Sequence, residues 1–141
     1  MQALRTLYRI GAAILFAVVL VQIGAAGYGA FYAAHKLKDK GSTMTHKSFD
    51  HGFSFHQGFG YLIFIIAVVV FALALASRLG KRSVLLALAA PVLVAITIIL
   101  AWAGESAPAA GIFHPLLALA VFAVTGLLAH HAWRGGRAWT P

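Results

Sequence analysis

The chain has 141 residues, of which 62% are hydrophobic and only 10% charged, and its formal net charge is +8. One domain of this size folded in water needs far more charge to cover its surface, so the composition points away from a soluble globular fold. The basic residues flank apolar runs, which reads as a membrane-topology signal and not as a nucleic-acid surface. The absence of Cys removes disulfides, thiolate metal sites, iron–sulfur clusters and covalent c-type haem attachment.

A hydrocarbon core of about 30 Å needs about 20 residues of helix. The first segment that meets this length runs from about Leu7 to Ala34 and follows Arg5 and Arg9. Its apolar run is longer than a signal-peptide core, so it is expected to remain as a span. It carries the small residues Gly24, Ala25, Ala26, Gly27, Gly29 and Ala30. Such a face serves close helix packing, a homo-oligomer contact or a flat cofactor. Gln22 sits near the middle, and an amide in hydrocarbon needs a partner, either another helix or a ligand.

The connection from about His35 to Ser54 is the longest and most polar segment, with Lys36, Lys38, Asp39, Lys40, Lys47 and Asp50. It also carries His46 and His51. Imidazole suits copper and zinc, so a loop metal site stands beside the plainer reading of a solvated loop. Span two runs from about Phe55 to Ser77 and opens with His56. Arg78, Lys81 and Arg82 fill a tight turn before span three, about Val84 to Gly104. That span contains Pro91 and reads as mainly structural. A short turn around Glu105 to Pro108 leads to span four, about Ala110 to Trp133. It opens near His114 and closes on His130 and His131, with Arg134 and Arg137 beyond.

Short connections make successive helices antiparallel neighbours, which predicts an all-α, integral membrane four-helix bundle running up-down-up-down as a single domain. The positive-inside rule then places both termini in the cytoplasm. His56 precedes Arg78 by 22 residues, about 33 Å of helix, and His114 precedes Arg134 by 20, about 30 Å. The two imidazoles therefore lie at matching depth on two parallel helices near the outer rim. Two such ligands are what one bis-histidine b-type haem needs. Gln22, Gly27 and Gly60 are expected beside the flat group, and Lys47 or a neighbouring lysine near its propionates. The plainer reading is a pair of interfacial histidines bonded to headgroups, water or carbonyls.

Three passages carry a resemblance: Val21-Gln22-Ile23-Gly24-Ala25-Ala26-Gly27, His56-Gln57-Gly58-Phe59-Gly60-Tyr61 and His114-Pro115-Leu116-Leu117-Ala118. Their order resembles a family of small four-helix bacterial membrane proteins known only as a domain of unknown function. The layout is also similar to one four-helix half of haem A synthase, and that resemblance implies His56 and His114 as haem ligands. The loop here has Asp39 and Asp50 but neither Glu nor Cys, and only one half is present, so haem A synthesis is not implied. The expected function is a haem b protein passing single electrons to a quinone or a larger membrane redox complex. The alternatives are a non-catalytic accessory subunit and copper or zinc binding through the outer histidines. A stand-alone enzyme fits less well, because no nucleophile and base are paired in the sequence.

Overall fold

A computed structural model describes residues 1–38 and 41–134. Asp39, Lys40 and Arg137, which entered the charge pattern above, lie outside the described residues. Among the described residues there are four long helices: α1 (Gln2–Lys36), α2 (His46–Ala76), α3 (Lys81–Ser106) and α4 (Phe113–Arg134). A single 3-10 turn, Ala110–Ile112, leads into α4. All four are long and apolar enough to cross a membrane. Helix is the form that satisfies every backbone donor and acceptor within one segment, which hydrocarbon requires.

The burial pattern is the reverse of a water-soluble bundle. The interior is rich in small side chains, with Ala12, Ala67, Ala74, Ala87 and Ala90 fully buried beside a few large ones such as Leu15, Val70 and Leu128. Large apolar residues such as Leu20, Ile65, Val69, Ile99 and Leu119 face outward. In water these outward faces would oppose folding. In lipid they cost nothing, while the alanines let backbones approach closely. Bilayer contact follows from that distribution.

Each helix packs on two neighbours, α1 on α2, α2 on α3, α3 on α4 and α4 on α1. Among the described residues the backbones of the diagonal pairs, α1 with α3 and α2 with α4, do not approach closely, so a central axis remains that only side chains reach across. Gly11 near the start of α1 meets Val70 late in α2, and Gly29 late in α1 meets Phe53 early in α2. These contacts fix the antiparallel pairing. The ends of the bundle therefore differ. One, the basic end, holds Arg5, Arg9, Arg78, Lys81, Arg82 and Arg134. The other holds the first turns of α2 and α4 and is called the histidine end.

The α1–α2 seam is closed by two reciprocal fits. A Cβ on Gly29 would come 2.6 Å from the Phe53 ring, and one on Gly52 would come 2.7 Å from the Tyr32 ring. Each helix thus seats an aromatic ring on the other's glycine. The small-residue face, for which the sequence leaves helix packing and a flat cofactor both open, splits: Gly29 packs under Phe53, while Gly24 and Gly27 have open space before them.

Helix α2 begins at His46, nine residues before the expected start of span two, so much of the expected polar loop is helical. Thr45 caps it, its hydroxyl accepting from the Ser48 amide at 3.2 Å, and His46 pairs with Asp50 one turn on at 2.7 Å. A Thr cap and an i,i+4 pair stabilise a helix without any apolar stripe. At its other end α2 closes with a Schellman arrangement. The Arg78 amide bonds the Leu75 carbonyl, the Leu79 amide bonds the Ala74 carbonyl, and Arg78 has φ 49.

Candidate functional site

His56 lies on α2 ten residues after its start, and His114 is the second residue of α4. The first turn of α4 tolerates Pro115, whose missing amide is one of the donors a helix start leaves unused. The parallel courses of α2 and α4 bring the two rings across the central axis, with centroids 6.2 Å apart and planes at 71°. Both residues are half-buried.

Each ring is held through one nitrogen by the backbone of a helix that carries no histidine at this level. His56 Nδ1 lies 3.3 Å from the Gln22 carbonyl oxygen on α1. His114 Nδ1 lies 2.9 Å from the Thr97 carbonyl oxygen on α3. A carbonyl only accepts, so Nδ1 carries the proton in both rings and donates it. In the neutral form of such a ring the lone pair is on Nε2. A histidine that donates its second ring nitrogen to a backbone carbonyl is the usual arrangement around a metal ligand.

The Gln22 side chain completes a reciprocal clasp with His56. Its Nε2 donates to the His56 carbonyl at 2.8 Å while His56 donates back to the Gln22 carbonyl. The amide expected to need a partner thus finds one on the neighbouring helix. Its Oε1 is buried with no hydrogen-bond partner among the described residues. Gly60, one turn beyond His56, makes room for this amide: a Cβ there would stand 3.2 Å from Gln22 Nε2.

Around the pair lies a cavity of 330 Å³ that draws residues from all four helices. Sites for small molecules and cofactors run from about 300 to 1,000 Å³. Its deeper wall is apolar, with Val19, Ile63, Val94 and Val121, and its rim carries Gln57, Tyr61, Trp102 and Glu105. Of the residues expected at the site, His56, His114, Gln22 and Gly60 line this cavity. Gly27 and Lys47 do not. Gly27 has open space before it, and Lys47 is exposed in the first turn of α2, nine residues or about 14 Å of helix from His56. Lys36 sits over the Tyr32 ring at 5.6 Å.

The other histidines are dispersed. His35 is exposed in the last turn of α1, His46 pairs with Asp50, and His51 stands 5.6 Å from the Tyr32 ring. His130 and His131 lie edge to face at the basic end. Among the described residues no three His, Asp or Glu side chains converge on a point where they could hold a metal ion. A copper or zinc site at the outer histidines therefore has no ligand set in this geometry, and the His56–His114 pair supplies two nitrogens.

Sequence reasoning treated span three as structural and missed its share of the cavity. Val94, Thr97, Ile98, Ala101 and Glu105 recur at i, i+3, i+4, i+7 and i+11, one face of α3. The signal was present in part: Thr97 of the span and Glu105, assigned to the turn after it but lying in α3, share this single face.

Comparison with protein-family models, with curated proteins and with solved structures returns no match.

Proposed function

We propose that the cavity holds one b-type haem with His56 and His114 as its axial ligands, and that the protein passes single electrons within the membrane. The observation that carries the reading is the spacing and tethering of the two rings. With a metal–nitrogen bond of about 2 Å and about 1 Å from nitrogen to ring centre, two imidazoles on opposite sides of one ion stand about 6 Å apart. The observed separation is 6.2 Å.

Several features of the chain fit that group. Two nitrogen donors are too few for a closed zinc site but suffice where a porphyrin supplies the remaining ligands. Both Nδ1 protons are engaged, so Nε2 is the ligating atom on each side. Gly60 keeps the wall next to His56 clear. Val19, Ile63, Val94 and Val121 exclude water and lower the local dielectric, which with axial-ligand hydrogen bonding sets the reduction potential. A haem so held takes up and releases one electron at a time. A space-filling accessory subunit has no need of two tethered histidines beside a cavity. The redox partner is a quinone or a larger membrane complex, and the basic end faces the cytoplasm of a bacterial inner membrane.

The test is optical. Protein purified after expression with ample haem is expected to show the split α-band and sharp Soret band of low-spin haem. The His56→Ala, His114→Ala double variant is expected to lose it. Haem-free wild-type protein, or a fully loaded double variant, overturns the reading.

A further inference from the structure

A second cavity, open and 480 Å³ in volume, lies at the basic end in the seam between α1 and α4. Its floor is apolar. The Phe16 ring lies over Gly126, where an added Cβ would stand 3.2 Å from it, and packs tilted on Phe122 with centroids 5.4 Å apart. Its α4 wall is Gly126, Ala129, His130, Trp133 and Arg134, spaced i, i+3, i+4, i+7 and i+8 along one helix face. His130, Trp133 and Arg134 are exposed, so the seam passes from apolar to polar over the eight residues from Gly126 to Arg134, about 12 Å.

Helix α1 repeats this gradient. Arg9 precedes Phe16 by seven residues, which is two turns along the same face and about 10 Å. Because Phe16 and Gly126 meet, Arg9 and Arg134 reach nearly the same level at the polar end of the seam. Neither has a carboxylate partner among the described residues. The described acids, Asp50 and Glu105, belong to the opposite end of the bundle. Two unpaired guanidiniums at one level above an apolar trough match a ligand with one phosphate and a long hydrocarbon chain. Guanidinium binds phosphate through paired, charge-assisted hydrogen bonds, and Trp133 suits the headgroup level. A neutral ring or a zwitterionic lipid leaves the positive charge uncompensated.

We propose that this seam binds one anionic phospholipid, its phosphodiester between Arg9 and Arg134 and an acyl chain along Phe16 and Gly126. The site is separate from the histidine cavity and does not depend on what that cavity holds. Basic pockets between membrane helices take anionic headgroups in this way.

The experiment is native mass spectrometry of delipidated protein in neutral detergent. It is titrated with phosphatidylglycerol, with phosphatidylcholine of the same chains, and with glycerol phosphate as a headgroup without chains. One phosphatidylglycerol per chain is expected to be retained, preferred over phosphatidylcholine by about tenfold or more. Glycerol phosphate is expected to show no retained adduct. The Arg9→Ala, Arg134→Ala double variant is expected to bring the preference close to parity while its helical circular dichroism is unchanged. Equal retention of the two lipids, or an undiminished preference in the folded variant, overturns the proposal. Retention of glycerol phosphate that displaces the lipid identifies a site for free phosphate compounds and also overturns it.

Discussion

Gln22 shows how one side chain and its own backbone do separate jobs. The side-chain amide bonds the His56 carbonyl, while the backbone carbonyl receives the His56 ring proton. A Gln22→Leu substitution removes only the first. The expected loss is about 0.6 kcal/mol, the average for single interhelical hydrogen bonds in membranes, and no more than about 1.7 kcal/mol, read as a lower thermal unfolding midpoint in detergent. The His56 imidazole keeps its backbone acceptor, so the variant is expected to retain the low-spin spectrum proposed for the wild type. Loss of that spectrum in a variant that still folds would show that the side chain itself orients the ligand. Sequence reading identified Gln22 and both histidines, because a deep amide and two matched imidazoles are conspicuous in an apolar chain. It did not identify the Gln22 and Thr97 carbonyls as partners. A backbone acceptor on another helix leaves no mark on the residue that carries it.

Among the elements, α2 departs most from its expected bounds. Its apolar run, which begins at Phe55, marks the part that lies in hydrocarbon. The helix starts at His46 because Thr45 caps it and because Gly52 and Phe53 fit Tyr32 and Gly29 on α1. Hydropathy sees solvent preference and is blind to a polar helical extension fixed by a cap and two glycine seats. At the other end of α2, Arg78 occupies the left-handed position of the Schellman turn, where Gly is the preferred residue. An L side chain there costs about 1–2 kcal/mol. Arg78→Gly is therefore expected to raise the stability of the folded bundle by about 1 kcal/mol, measured as a higher thermal unfolding midpoint. The charge that Arg78 adds to the basic turn acts at the scale of the whole molecule.

At the scale of the molecule, the two ends differ in charge. The described residues place Arg5, Arg9, Arg78, Lys81, Arg82 and Arg134 at the basic end with no acid, and Lys36, Lys38 and Lys47 with Asp50 and Glu105 at the histidine end. Insertion follows the Lys and Arg bias of short loops, and the turn of Arg78, Lys81 and Arg82 joins α2 to α3 directly. The basic end is accordingly expected in the cytoplasm, with the histidine cavity near the opposite face. The native chain has no Cys, so single introduced cysteines report without background. In right-side-out vesicles, Thr43→Cys in the α1–α2 connection is expected to react with a membrane-impermeant maleimide. Gly80→Cys in the basic turn is expected to react only after permeabilisation. The opposite labelling pattern reverses the orientation, and with it the face at which the proposed haem exchanges electrons. Neutralising Arg78, Lys81 and Arg82 to Gln removes half of the six cations named at the basic end and is expected to give a mixed population in which both cysteines label in part. Equal labelling of both positions in the unmodified charge background would show that the lysines of the histidine end offset the bias. The cavity would then face both sides of the membrane in different copies.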